Sequence, residues 1–421
     1  MRKSIIRMMK MIYKTEEIPE DWNKAYIKNI YKGKGNNKIM SNYRGIILNS
    51  HLPKMFEKII EEKEQDTLQN MSEFQCGARK GKSTREHHLT IRTIKEVARE
   101  KKEDITAVYF DIKKCFDKMV LKEAMKELWL KGVRGKHWRL IYKLNSNNIL
   151  TPVTDLGKCT PICVKEMIKQ GSVLGSVISS ITMDSLTRIM SESGKNIWEI
   201  EGIKIYPLIF QDDIIAVNKT EDIQATVEKI EGFQYLKRLE FHEDKTKKSI
   251  LNGKKYVKVH VNGVEIKRVT HHKYLGKIIE EKPKDKEEIK ERIKKAKAQT
   301  NESMVVVNNK NLNRKRFDIG IKLLETVVIP TLINGAETWC KLTEKEKQDM
   351  NSVQTQYLAK MLRVPRTTPR SALLTASKLM KVEHSVNQRK LNYYVDINNR
   401  EECCLEVKMK NIQEHMSYGK N

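Results

Sequence analysis

The sequence lacks the cysteine patterns of a zinc-binding protein. Its cysteines are odd in number, seven, and stand at positions 76, 115, 159, 163, 340, 403 and 404. No paired Cys-x-x-Cys set occurs with histidines at zinc spacing, which argues against a zinc finger. The neighbouring pairs His87-His88 and His271-His272 are also poor metal sites, because adjacent residues on a strand or helix point to different faces.

Membrane and targeting signals are missing as well. We find no apolar run near the length of a membrane span, no lipidation signal, and no apolar signal core behind the basic N-terminus. These absences predict an intracellular protein, in the nucleus or the cytoplasm, without a membrane partner. The Gly-rich basic stretch 32–38 lacks the spacing and the Ser/Thr of a Walker P-loop, which disfavours an NTPase.

Positive charge is present in large surplus. The chain has 81 Lys and Arg against 54 Asp and Glu, a net charge of +27. The excess is spread along the chain, and nucleic acid is the partner that it favours, because phosphate neutralisation releases counterions. With 39% hydrophobic and 32% charged residues, the 421-residue chain is expected to be globular.

Two adjacent aspartates, Asp212 and Asp213, stand between the apolar runs 206–210 and 214–217. This pattern predicts two short strands joined by a tight turn that carries both carboxylates. Aspartate is common in ordinary β-turns. However, paired carboxylates at the tip of a buried hairpin raise the electrostatic energy unless a cation neutralises them, and a hard divalent metal is the natural partner.

A third aspartate, Asp111, also lies at the end of a predicted strand. The stretch 105–110 is a strong strand candidate that Asp111 closes, and a helix follows with apolar residues at Leu121, Met125 and Leu128 and a C-cap at Gly132. Asp111 alone fits a strand-end cap. If its strand neighbours the hairpin, three carboxylates converge, and such a cluster can hold two metals that support an in-line phosphoryl displacement.

These segments resemble motifs of reverse transcriptases, in the form found in non-LTR (LINE-type) retrotransposons. The stretch 110–117 (FDIKKCFD) resembles the first palm motif, and 210–213 (FQDD) resembles the aromatic-Ala-Asp-Asp box. Further resemblances follow in the family's order: NYRGI at 42–46, QCGARKGKST at 75–84, QGSVLGS at 170–176, KTK at 245–247, YLG at 274–276, GAETW at 335–339 and RVPRTT at 363–368.

The resemblance implies a right-hand polymerase fold of the α/β (α+β) class, with a small antiparallel palm sheet and a helical C-terminal region. The implied domains are fingers at 1–100, palm at 101–280, thumb at 281–312 and a helical region at 313–421. Apolar periodicity predicts helices over 285–301 and 344–363, and another over 314–329 that Pro330 ends.

The resemblance also assigns site residues. Asp111, Asp212 and Asp213 would be catalytic and hold two Mg²⁺ or Mn²⁺ ions, and Lys245 would protonate the departing pyrophosphate. The implied nucleotide-binding residues are Lys32, Arg44, Phe116, Gln170 and Gly171. The sequence is also consistent with Lys32 and the tract 245–248 being solvated surface charges, and with Phe116 being an aromatic residue of the core.

The implied function is RNA-directed DNA polymerisation, with an RNA template, a DNA primer and dNTPs as partners. An endonuclease is expected either to come from another chain or to have been lost. Departures from the family pattern, among them Ala78, Val173 and Gln211, favour one alternative, a catalytically weak RNA-binding relic. A group II intron maturase-type protein is the other alternative, although the tracts at 335–339 and 363–368 favour the retroelement.

Overall fold

The computed structural model describes residues 2–33, 35–194, 196–281, 284–309 and 315–418. The chain divides into two compact units. Unit 1 consists of Met1–Ser83, Thr106–Lys248 and Tyr256–Arg268. Unit 2 consists of Thr84–Ile105, Ser249–Lys255 and Val269–Asn421.

The helices and strands alternate in the first two thirds of the chain, and helices alone follow. The helices are α1 (Arg2–Thr15), α2 (His51–Lys63), α3 (Gln65–Gln69), α4 (Thr84–Lys101), α5 (Cys115–Lys118), α6 (Leu121–Lys131), α7 (Gly135–Asn145), α8 (Val173–Ser193), α9 (Ile223–Leu236), α10 (Lys286–Val307), α11 (Arg316–Leu323), α12 (Ile329–Leu332), α13 (Glu344–Leu362), α14 (Arg370–Ser377), α15 (Val382–Asn398) and α16 (Leu405–Tyr418). The strands are β1 (Lys24–Tyr31), β2 (Tyr43–Leu48), β3 (Ile105–Phe110), β4 (Ser146–Thr154), β5 (Gly157–Lys158), β6 (Ile162–Glu166), β7 (Glu199–Ile200), β8 (Ile203–Lys204), β9 (Leu208–Phe210), β10 (Asp213–Lys219), β11 (Lys247–Asn252), β12 (His260–Val261), β13 (Val264–Glu265), β14 (Lys267–Arg268), β15 (His271–Tyr274) and β16 (Lys277–Glu280).

The sheet that carries the aspartates has the strand order β14-β11-β3-β10-β9. Strands β9 and β10 form the predicted antiparallel hairpin, with Phe210 opposite Asp213. Every residue of β3 is buried, as the apolar run 105–110 predicted. Because β3 lies next to β10, the end of β3 and the tip of the hairpin come together. At its far edge, β14 joins β11 in parallel.

Helix α8 is the central helix of unit 1 and is buried along most of its length. It packs against α2, α6 and α9. Helix α6 confirms the predicted pattern, since Leu121, Met125 and Leu128 are all buried and Gly132 caps the helix with a φ of 112°. These helices form one apolar core beneath the sheet and fix the start of α8, which follows the 170–171 turn.

A second sheet in unit 1 has the order β2-β1-β4-β5, with β6 also paired to β4. Strand β1 is antiparallel to β2 and parallel to β4. Ala25, Ile47 and Leu150 form a small apolar cluster on one face. This sheet holds Arg44, on β2, opposite Ile30 of β1.

Unit 2 is mainly helical, and its core contains Trp339 and Tyr357. The helix predicted over 344–363 is α13, which begins with a capping box between Thr343 and Glu346. The helix predicted over 285–301 is α10, which contains two ion pairs between residues four positions apart. Glu288 pairs with Arg292 at 2.5 Å, and Glu291 pairs with Lys295 at 3.4 Å. Arg292 is buried, so this residue faces the core rather than an exposed basic surface.

The prediction that Pro330 ends a helix is wrong. Helix α11 continues through a π-helical turn, Leu324–Val328, into α12, and Pro330 lies near the start of α12. Proline lacks an N–H donor, and its ring clashes with the carbonyl four residues earlier in a regular α-helix. The wider turn changes this hydrogen-bond pattern, so the helical path continues. Arg314, the first residue of the predicted helix, lies outside the described residues.

The segment Arg316–Thr338 is long and apolar enough to cross a membrane, by length and composition only. The sequence analysis found no such run, because Lys322 and Glu325 interrupt it. Core helices pass the same test, and 33% of the apolar window of this segment is buried. Its residues Leu324 and Val328 belong to the core of unit 2.

Candidate active site

The tip of the β9–β10 hairpin carries the adjacent aspartates. Gln211 and Asp212 form the turn, and Asp213 is the first residue of β10. Gln211 has a φ of 56°, in the left-handed region that few non-glycine residues adopt. This turn directs two consecutive carboxylates away from an apolar hairpin whose remaining β10 residues are mostly buried.

Asp111 lies at the end of the neighbouring strand, where a second segment fixes its backbone. The Asp111 N–H donates to Thr246 Oγ1 at 3.4 Å, and the His242 N–H donates to the Asp111 carbonyl at 2.7 Å. Ile112 and Phe241 form an isolated antiparallel bridge beside it. The segment that contains the predicted Lys245 therefore supports the segment that contains Asp111.

The three aspartates are close enough for their charges to interact. Desolvation, together with the charges of Asp212 and Asp111, raises the pKa of Asp213 to about 6, although the residue as a whole is exposed. Desolvation also raises the pKa of Asp212, with a contribution from Asp111. The structure thus brings together the carboxylates that the sequence predicted to converge.

Two predicted basic residues lie within electrostatic range of this cluster. Lys245 Nζ is 4.0 Å from Asp111 Oδ2, and both side chains are well exposed, at 60% and 43%. The positive charge of Arg44 acts on Asp212 and opposes the rise of its pKa. Arg44 and Lys245 therefore place positive charge on the solvent side of the acidic cluster.

The other predicted nucleotide-binding residues lie on three separate elements. Phe116 lies on α5 and packs, half-buried, against the core of unit 1. Gln170 and Gly171 form the turn before α8, and a Cβ on Gly171 would lie 3.1 Å from the Ile47 carbonyl oxygen. Lys32 follows β1, where its N–H donates to the Asn42 carbonyl at 2.9 Å. Their roles in nucleotide binding stay predictions.

The sequence analysis missed a buried polar pair beside the Gln170–Gly171 turn. Glu57 and Lys169 are each only 2% exposed. Glu57 Oε2 accepts the Val173 N–H at 2.7 Å, at the start of α8. Lys169 Nζ lies 3.4 Å from both the Trp22 carbonyl and Asn23 Oδ1. In the sequence, both residues look like ordinary surface charges. The only signal was that Lys169 directly precedes the Gln-Gly motif at 170–171.

The chemistry of the acidic cluster fits a divalent cation. Carboxylate oxygens are the preferred ligands of Mg²⁺, and a bound cation would offset the desolvation and the mutual repulsion that raise the pKa values of Asp212 and Asp213. Within the described residues, no three His, Cys, Asp or Glu side chains are already arranged as metal ligands.

A family model described as reverse transcriptase (RNA-dependent DNA polymerase) matches residues 30–279. The chain belongs to this family. The reverse transcriptase domain includes all three aspartates, Lys245 and the predicted nucleotide-binding residues. The expected fold class is confirmed, since this domain is a mixed α/β structure with small sheets and helices follow it.

Further comparisons gave distant matches to solved structures. No curated protein matches the chain in sequence. Telomerase from Candida albicans, in complex with a TWJ fragment of telomeric RNA, matches with a TM-score of 0.42 and 12% identity, over 96% of this chain and 67% of that chain. Apo telomerase from Candida tropicalis matches with a TM-score of 0.45 and 14% identity, over 96% of this chain and 74% of that chain.

Proposed function

We propose that this reverse transcriptase domain is an active RNA-directed DNA polymerase that transfers nucleotides from dNTPs to a primer 3′-hydroxyl. The observation that carries the proposal is the convergence of Asp111, Asp212 and Asp213 on neighbouring strands, where burial and mutual repulsion raise the pKa values of Asp212 and Asp213. An acidic cluster of this kind is stable with a bound cation and suits phosphoryl transfer.

The three carboxylates would hold Mg²⁺ or Mn²⁺, which when bound would lower the pKa of the attacking hydroxyl and offset the charge of the triphosphate. Arg44, close enough to act on Asp212, is in a position to bind the triphosphate. Phe116 would lie under the sugar and select deoxynucleotides. Gln170, Gly171 and Lys32 would complete the nucleotide site.

Lys245 has a double role in the proposal. Without substrate it neutralises Asp111, from which it is separated by 4.0 Å. When a cation takes over that charge, the exposed ammonium group of Lys245 becomes available to the leaving pyrophosphate. It would donate its proton as the bond between the α-phosphorus and the bridging oxygen breaks.

The retroelement origin is also part of the proposal. The order of the motifs from 42 to 368 supports the non-LTR type. A protein of that type would act inside the cell on an RNA template with a DNA primer, and its endonuclease would come from another chain or have been lost. The alternative is a catalytically weak RNA-binding relic, which the bulky Gln211 and the missing Pro at Val173 favour. A maturase-type protein would use its C-terminal helices to bind RNA.

The test is primer extension on poly(rA)/oligo(dT) with Mg²⁺ or Mn²⁺. We expect wild-type protein to extend the primer and Asp212→Asn to lose at least 100-fold in rate, as expected when a metal ligand of a catalytic site is removed. Asp66→Asn is the matched control and should extend normally, because Asp66 is exposed on α3.

RNA binding, followed by fluorescence anisotropy, should be unchanged in Asp212→Asn. Persistent extension by Asp212→Asn would show that the site is wrongly assigned. A folded wild-type protein that binds RNA but extends no primer would establish the relic instead.

A further inference from the structure

Gln75 is a completely buried polar residue next to the aspartate turn, with 0% of its surface exposed. Its side-chain amide makes three hydrogen bonds. Oε1 accepts the Gly77 N–H at 2.8 Å and the Gln211 N–H at 3.3 Å, and Nε2 donates to the Ser180 carbonyl of α8 at 3.2 Å. One side chain thus connects the 75–84 segment, the central helix and the turn beside Asp212.

The backbone around Gln75 follows the same strand. The Ile209 N–H donates to the Phe74 carbonyl at 2.8 Å, and the Cys76 N–H donates to the Ile209 carbonyl at 3.0 Å. These bonds place Gln75 beside Ile209 in a parallel bridge. Strand β9 is therefore supported along both of its edges, by β10 on one side and by 74–76 on the other.

Gly77 approaches the turn so closely that no side chain fits there. A Cβ at Gly77 would lie 2.5 Å from the Gln211 backbone nitrogen, far inside van der Waals contact. Since that neighbour is a backbone atom, any side chain at 77 must displace the turn. Gln75 and Gly77 thus act on the same peptide group, the one between Phe210 and Gln211, at the start of the turn that carries Asp212.

We propose that Gln75 is a positioning residue that holds the Asp212–Asp213 turn in the orientation required for binding a divalent cation. The inference rests on the proposed function, since it concerns the same metal-binding carboxylates. A buried amide suits this role because it offers an acceptor to two N–H groups and a donor to a carbonyl at once. Methionine matches its volume and satisfies none of these groups.

The expected effect follows from how residues that support metal ligands behave. Loss of such a hydrogen-bond partner typically weakens metal affinity or activity 10- to 100-fold. We expect Gln75→Met to bind Mn²⁺ about tenfold more weakly than wild type. Its kcat should fall while the KM for the primer–template stays unchanged, because the basic surface that binds nucleic acid is untouched.

The experiment is a Mn²⁺ titration of the full chain, followed by electron paramagnetic resonance of the free ion, with Asp212→Asn as the reference for loss of the site. Gln234→Met is the matched control. Gln234 lies on α9 in the same unit, and within the described chain its buried Oε1 has no hydrogen-bond partner. The control should bind Mn²⁺ like wild type.

Gly77→Ala would displace the same peptide group by a steric clash with the Gln211 nitrogen, and it should also weaken Mn²⁺ binding. If Gln75→Met does not fold, as judged by circular dichroism, Gln75→Asn and Gly77→Ala decide the question by the same criterion. A folded variant of Gln75 with wild-type Mn²⁺ affinity would overturn the proposal, whatever its thermal stability.

The outcomes separate this inference from the proposed function. Wild-type protein that binds Mn²⁺ through Asp212 but extends no primer would contradict the polymerase, while a weaker Mn²⁺ affinity in Gln75→Met would still support the positioning role. Wild-type protein without Asp212-dependent Mn²⁺ binding would overturn both.

Discussion

At the scale of single residues, Asp213 shows the effect of crowded negative charge most clearly. Its pKa is raised from 3.8 to about 6 by desolvation and by two neighbouring carboxylates. At pH 5 the group therefore still holds its proton, and a metal ion must displace it. At pH 7 the group is ionised and ready to bind.

We predict that Mn²⁺ affinity rises about tenfold between pH 5 and pH 7, because one pH unit below its pKa a carboxyl group is only about one-tenth ionised. Titrations at pH 5, 6 and 7 check this. Asp213→Asn should remove most of the dependence. Equal affinity of the wild-type protein at all three values would contradict the raised pKa.

Residue type and spacing were enough to predict that the three aspartates converge, because charged pairs inside apolar runs are unusual. The contact of Gln75 with the aspartate turn was not predicted. In the sequence Gln75 stands in a Gly-rich, basic segment, where a glutamine looks like a surface residue. Its burial depends on the contact with Ile209 and Ser180, far away along the chain, which no local pattern encodes.

At the scale of elements, the start of α8 depends on the buried residues Glu57 and Lys169. Burial lowers the pKa of Lys169 to about 8, and burial raises the pKa of Glu57. Both shifts reflect the cost of charge in the interior, which the attraction between the two residues partly offsets. The hydrogen bond from Val173 N–H to Glu57 also satisfies one of the free donors at the helix start.

We predict that Glu57→Leu destabilises the protein by about 3 kcal/mol, because it leaves the Val173 N–H without its acceptor and removes the carboxylate that offsets the buried charge of Lys169. Urea denaturation measures the loss. Glu62→Leu, on the exposed side of the same helix α2, is the control and should change stability by less than about 0.5 kcal/mol. Equal urea midpoints for both variants would refute the role of Glu57.

Regular elements with clear periodicity were predicted well, as α6 and α13 show. The continuation of the helix past Pro330 was not predicted, because the free-energy cost of a proline in a helix depends on the local hydrogen-bond pattern. A π-helical turn removes the clash that ends a regular helix. Sequence periodicity indicates where a helix begins, but it does not show how the helix accommodates a proline.

At the scale of the whole molecule, the net charge of +27 favours electrostatic attraction to a polyanion. We predict that the affinity for single-stranded RNA falls about a thousandfold between 50 and 200 mM salt, as for a protein that neutralises several phosphates. Fluorescence anisotropy over this range gives the slope of log K against log salt. A flat response would contradict binding through a basic surface.

The family motifs predicted the α/β class, but they contained no information on contacts between distant parts of the chain. Helix α4 illustrates this limit. It packs against α16, and Arg400 donates to the buried Glu86 at 2.9 Å. Gln413 donates to Glu96 on the same helix at 2.6 Å. No signal in residues 380–421 indicated this role.

The contact between Glu86 and Arg400 joins residues 314 positions apart, which has a consequence for synthesis of the protein. At typical translation speeds, α4 leaves the ribosome roughly 15–60 s before its C-terminal partners exist. During that time, the face of α4 that is buried in the folded protein, including the carboxylate of Glu86, lacks its native contacts with the C-terminal residues. Unit 2 can therefore close only after the residues up to α16 have been synthesised, whereas most of unit 1 can fold before that.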